Sequence, residues 1–220
     1  MDASLRFRLI RVARKKISSR DPSHDFGHAV RTLANAERIA EEEGGDLEVL
    51  VPSALFHDAV NYPKNHPLRH SSQQMAADAA EKMLKSVKNY PKGKIARVKT
   101  CIRECSFTNR TSPSTLESKI LQDADALEST GAVAVMRTFA SAGGLEKPFY
   151  DLSDPFSRNR KPDSGKYAVD LFYDRLLKVG LIMNTKTAKR MALKREKFLR
   201  RFLRELENEA SLRVGSAGEV

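Results

Sequence analysis

The sequence predicts an all-α fold. Helical periodicity of apolar residues dominates, strand-like alternation is almost absent, and Gly44-Gly45 and Gly143-Gly144 punctuate the periodic stretches. Leu5, Leu9, Val12, Ala13 and Lys16 follow one helical stripe, so residues 1–20 read as a first helix docking on the core; an Arg-rich transit peptide is the alternative. Asp21-Pro22-Ser23 is a start signal for a helix from about His24 to Glu43, with Phe26, Val30, Leu33, Ala36 and Ala40 inward. Leu47 to His57 follows, with Pro52 kinking it or marking its first turn. Further helices are expected at 71–87, 93–106 and 117–142, the last bent near Gly131. The stretch 143–165 is rich in turn formers and reads as a loop or lid. Two closing helices, 166–179 and 185–209, would bury Leu176, Leu177, Met191, Phe198, Leu199 and Phe202, and 210–220 would fray. Residues 21–209 then form one domain.

Composition narrows the class. At 220 residues the chain has ample length for a core, and no apolar run approaches the roughly 20 residues of a membrane span, which argues for a cytoplasmic, membrane-free protein. Cys101 and Cys105 are the only cysteines, without the pattern of a disulfide-stapled secreted domain. The net charge of +11, concentrated near both ends, favours anionic partners: nucleotides, polyphosphates or nucleic acid.

Chemistry-bearing residues fall in three segments. Ser-His-Asp-Phe-Gly-His at 23–28 puts His24 and His28 four residues apart, a spacing that lets them share a metal or pair a ligand with a substrate contact. Phe-His-Asp-Ala at 56–59 adds His57 and Asp58 at a helix end. Leu-Gln-Asp-Ala-Asp-Ala-Leu-Glu at 121–128 places Asp123 and Asp125 in an otherwise apolar stretch, where either can cap a turn. Imidazole and carboxylate suit one divalent ion, and a bound cation accounts for all three segments together.

These segments, with Leu-Phe-His-Asp-Ala-Val-Asn-Tyr-Pro-Lys-Asn at 55–65 and Phe-Tyr-Asp-Arg-Leu-Leu-Lys-Val-Gly-Leu-Ile-Met-Asn-Thr-Lys-Thr-Ala-Lys at 172–189, resemble the HD-domain phosphohydrolase superfamily, in particular its small stand-alone hydrolases. The resemblance covers about residues 20–205. It implies an all-helical domain with the metal among its central helices, and His28, His57, Asp58 and Asp125 as ligands. The metal would be Mn, Mg, Co, Ni or Fe. His24 and Asp123 would then stand behind the ligands or face the substrate, with Asp123 in a catalytic role.

The resemblance further implies a metal-dependent phosphohydrolase acting on a nucleotide or related phosphorylated molecule, with nucleoside triphosphate pyrophosphohydrolysis as the leading reaction. Lys64, Arg69, Arg31 and His24 are candidate substrate contacts. Asn61 stands where HD-type deoxynucleoside monophosphatases carry Glu, and the Glu-Asp pair of alarmone hydrolases is absent. Asn cannot act as a base but can orient a water molecule, so it is assigned that catalytic role. His66 and His70 suggest a second metal, with Pro67 between them against it. A basic nucleic-acid-binding protein retaining an HD site is the alternative of another class, and an HD-type di-iron oxygenase ranks last.

Overall fold

The protein is described by a computed structural model covering residues 1–17, 24–62, 66–105 and 111–210. Among the described residues there are nine α-helices and no strand: α1 Ala3–Lys16, α2 Phe26–Glu43, α3 Leu47–Phe56, α4 Ser72–Ser86, α5 Ile95–Glu104, α6 Leu116–Ala126, α7 Gly131–Gly144, α8 Asp170–Asp174 and α9 Lys186–Ala210. The all-α expectation is met.

Helix α3 is the centre of the fold. Every residue from Val49 to Phe56 is buried, and α1, α2, α4, α5 and α6 all pack on it. Pro52 lies inside the helix, where its ring removes the hydrogen bond that the Glu48 carbonyl would accept. The Tyr90 hydroxyl donates to that carbonyl at 2.9 Å instead, so the proline leaves no orphan acceptor. Burial of side chains such as Leu50, Leu55 and Phe56 contributes about 1.5–3 kcal/mol each. The depth of α3 matters for function, because residue 57 is its C-cap.

Helix α2 starts later than the sequence suggests. Asp25 is its cap, accepting from the His28 amide at 2.8 Å, so His24 precedes the helix, and Asp21-Pro22-Ser23 lies outside the described residues. Its buried stripe is also rotated: Ala29, Thr32, Leu33, Asn35, Ala36 and Ile39 point inward, while Val30 is exposed. Apolarity alone misplaced this face, since His28, Thr32 and Asn35 are polar residues turned inward. Gly44 ends the helix at φ +83°, a conformation that a side chain disfavours.

Helix α1 buries Leu5, Leu9 and Ala13 against the main core, and Arg6 forms a paired bond to Glu37 of α2. The predicted helix over 117–142 is divided into α6, a 3-10 turn at Leu127–Ser129, and α7, which begins at Gly131 with φ +63°. The helix expected over 166–179 is not continuous. It is reduced to α8 and a 3-10 stretch at Leu176–Ile182, because the backbone turns at Arg175, where φ is −136° and ψ −53°. That turn brings Phe172, Leu176 and Val179 inward.

A second, aromatic-rich cluster forms around Phe172, Val169, Ala134, Leu199 and Leu203, with Phe139 and Phe202 against it. Phe198, expected in the core, is 37% exposed. Residues 145–169 contain no regular helix, yet Arg160 binds the fully buried Asp170 at 2.5 Å and fixes them to α8. Residues 211–220 lie outside the described part. No described helix is long and apolar enough to cross a membrane.

Candidate metal centre

Four side chains from three helix ends converge where the two clusters meet. His28 comes from the first turn of α2, His57 and Asp58 follow α3, and Asp125 lies in the last turn of α6. His28 Nε2 and His57 Nε2 are 3.1 Å apart. His28 Nε2 is 3.5 Å from Asp58 Oδ2 and 3.4 Å from Asp125 Oδ1; from His57 Nε2 the same oxygens lie at 3.8 and 3.7 Å. Both rings are buried, and Asp125 is the most open of the four.

Each ring is oriented from behind. His57 Nδ1 donates to the Ala54 carbonyl at 2.8 Å, and His28 Nδ1 donates to Glu128 Oε2 at 3.3 Å. Glu128 in turn accepts from Arg31 Nε at 2.7 Å. With their Nδ1 protons committed outward, both Nε2 atoms present lone pairs to the same point. Two lone pairs at 3.1 Å beside two carboxylates repel unless positive charge lies among them.

The titration behaviour expresses the same demand. Burial opposes a charged His57, but Asp58 and Asp125 override it and push its pKa up to about 9. Burial likewise disfavours charge on His28, yet Asp58 and Glu128 raise it. Burial would raise both aspartates, but the imidazoles hold Asp58 well below the usual range and Asp125 at about 2. For Glu128, the pull of His28 and Arg31 exceeds the burial cost and lowers it. In donor chemistry and arrangement the set fits a divalent cation. His28, His57 and Asp125 form one group whose ligand atoms lie within 4.8 Å of one another, and His24, His28 and Asp58 form another.

The cluster opens into a cavity of about 250 Å³. His24, Asn61 and Arg69 line it, with His24 Nδ1 bonded to Asp58 Oδ2 at 2.7 Å and Arg69 donating to the Tyr62 carbonyl at 3.2 Å. Two expectations change. Asp123 does not line the cavity: fully buried, it accepts from the amides of Asn184 and Thr185 and from their side chains at 2.7–2.9 Å, anchoring the start of α9. That structural task replaces the catalytic role. Arg31 donates its Nε to Glu128 and does not line the cavity. His66 stacks on Tyr62 and belongs, like His70, to no metal-capable group among the described residues. Lys64 lies outside the described residues.

Sequence reasoning missed Glu128, Arg137 and Arg175. Glu128 is three residues after Asp125, on the same side of a helical segment, and that spacing was the available signal. Cys105 also reaches the cavity, but burial and the charges of Asp125 and Asp58 push its thiol well above the ordinary range, so it stays protonated. A larger groove of about 620 Å³ between α4 and α5 contains none of these residues, and its lysines are held by Glu81, Asp78 and backbone carbonyls.

Residues 25–130, which contain all four converging side chains, match the HD domain family. The chain belongs to the HD-domain superfamily. It is 28% identical over 197 residues to the uncharacterized protein YpgQ of Bacillus subtilis, covering 88% of this chain and 87% of that one. The crystal structure of YpgQ in complex with ADP superposes with a TM-score of 0.70 at 26% identity, over 94% of this chain and 98% of that one. The Lin1889 protein of Listeria innocua gives 0.72 at 27% identity, over 96% and 99%. A predicted HD superfamily hydrolase from an uncultured Thermotogales bacterium gives 0.61 at 25%, over 92% and 91%. An HD-domain chain with this His and Asp cluster is a metal-dependent hydrolase.

Proposed function

We propose that this HD-domain protein is a phosphohydrolase acting on a nucleotide, with His28, His57, Asp58 and Asp125 holding one divalent ion. The observation that carries this reading is the convergence of two backed imidazoles and two carboxylates at the base of a cavity whose other lining includes arginines. YpgQ, a relative of similar fold, has been crystallised with ADP, which supports a nucleotide over other phosphorylated compounds.

His28, His57, Asp58 and Asp125 would hold the divalent ion, which would supply Lewis acidity and lower the pKa of a water molecule. The chain's residues do the rest. Glu128 and the Ala54 carbonyl keep both rings in the tautomer that points Nε2 inward. His24 holds Asp58 in place and, half exposed at the rim, is positioned to donate to a phosphate oxygen. Asn61, exposed in the cavity lining, can orient water through its amide but cannot take its proton. Cleavage to the monophosphate and pyrophosphate remains our leading form of the reaction.

The test is metal analysis of purified protein together with phosphate and pyrophosphate release from a nucleotide panel. One bound Mn, Co, Ni, Fe or Mg and turnover of nucleotides are expected. Neither metal nor turnover would overturn the reading.

A second reading rests on α9, where Lys189, Lys194, Lys197, Arg201 and Arg204 are exposed and make no ion pair with a described carboxylate. Such a stripe suits a nucleic acid, and gel shifts that weaken steeply with salt would support it.

A further inference from the structure

The wall of the cavity facing away from the main core is built by α7, α8 and the turn after it. Helix α7 presents Ala134, Arg137, Thr138 and Ser141, at i, i+3, i+4 and i+7, while α8 adds Leu171 and the turn after it Arg175 and Leu176. Arg137 is half-buried and Arg175 exposed, and neither guanidinium has a hydrogen bond or ion pair with any described residue. Arginines elsewhere around the site are committed: Arg31 to Glu128, Arg195 to the Leu127 carbonyl and Asn35, Arg160 to Asp170. Two free guanidiniums in one cavity with a carboxylate-rich cation site form an arrangement for a chain of negative charges.

We infer that Arg137 and Arg175 clamp the phosphoryl groups beyond the one held at the metal centre, making a phosphoanhydride chain the recognised part of the substrate. This rests on the reading that the cavity takes a phosphorylated compound. Guanidinium forks match phosphate oxygens in paired hydrogen bonds. Size supports the assignment: about 250 Å³ falls below the roughly 300–1,000 Å³ of pockets that enclose a whole drug-sized ligand. Among the described residues of the lining there is no Phe, Tyr or Trp to stack a base. The charged end of the substrate enters the cavity and the base stays outside.

The decisive experiment is titration calorimetry of inorganic tripolyphosphate and of orthophosphate into the full chain, with and without Mn, for wild type and for Arg137→Gln, Arg175→Gln and the double variant. Each single change should weaken tripolyphosphate binding about ten- to a hundredfold, the weight of a charged hydrogen bond, with orthophosphate binding little altered. Arg137→Lys should recover part of the loss. Nucleoside triphosphates differing only in base should bind wild type within about tenfold of one another, since the recognised part is the phosphate chain they share. Tripolyphosphate binding equal in wild type and the double variant would overturn the clamp, as would its absence in wild type. Loss of orthophosphate and tripolyphosphate binding together would reveal damage to the fold instead of the clamp, and would overturn it unless Arg137→Lys restores the pair selectively. Failure of the phosphohydrolase reading is separate: it would appear as absent turnover while tripolyphosphate binding still depended on the two arginines.

Discussion

On one side of the cavity, His28 and His57 each have a partner behind the ring; on the other, the guanidiniums of Arg137 and Arg175 have none among the described residues. The first wall stands on the main core, where α3 is buried along nearly its whole length. The second stands on the smaller aromatic cluster and on a helix interrupted at Arg175. Donors to a cation must be fixed before the cation arrives, or their repulsion opens the site. Groups that receive a polyanion gain from freedom to adapt to its length. The contrast separates a rigid half from an adaptable half, and it can be attacked from either side.

The largest effect belongs to the rigid wall. His57→Ala should abolish stoichiometric metal binding and lower turnover by more than about a hundredfold, beyond the range for changes behind a ligand. Metal analysis beside steady-state rates decides it, and a variant that keeps its ion would break the comparison. Asp123→Asn comes next, because it turns an amide nitrogen toward donors in a fully buried site. Stability should fall by about 2–4 kcal/mol in denaturant unfolding, while kcat of the folded fraction stays near wild type. A collapse of kcat with stability intact would restore a catalytic role to Asp123.

Glu128→Gln removes the charge behind His28 and frees Arg31. We expect metal affinity about ten- to a hundredfold weaker, read by competition with a chelating dye, with the fold retained. The smallest effect is on pH. In metal-stripped protein His57 titrates at about 9, above its ordinary 6.5, because Asp58 and Asp125 outweigh burial. Its protonation stabilises the fold fully below about pH 6.5, and that contribution is lost as pH rises through about 9. Melting temperature should decline across this interval in the stripped protein, and the decline should be smaller in His57→Gln, where only the raised His28 still contributes.

How much of this was legible in the sequence depended on whether a residue's role was local. Helix ends at Gly44 and Gly131, the kink-prone Pro52 and the docked stripe Leu5, Leu9, Ala13 follow from spacing and backbone chemistry, and they were readable. The four converging side chains were readable through the family resemblance, since nothing local brings residue 28 to residue 125. Asp123 and Arg31 misled because their partners, Thr185 and Glu128, are remote in sequence, and a carboxylate among apolar residues looks the same whether it serves chemistry or a helix start. Arg137 and Arg175 were invisible for the opposite reason. Their significance is that no described residue partners their guanidiniums, which spacing does not encode. The rotated face of α2 belongs to the same class, with polar residues turned inward toward a site assembled from elsewhere.

Asp123 and Arg195 tie the segment 123–130 to α9 from two directions: one grips residues 184 and 185, the other reaches back from the middle of that helix to the Leu127 carbonyl, Thr130 and Asn35. Gly131 lies so close to Arg195 that an added Cβ would meet its Cβ at 3.2 Å. During synthesis, therefore, a nascent chain that has emerged only through α7 holds all four converging side chains yet leaves Asp123 with its four donors still unmade. The contacts that hold the segment around Asp125 are complete only in a chain that includes residue 195.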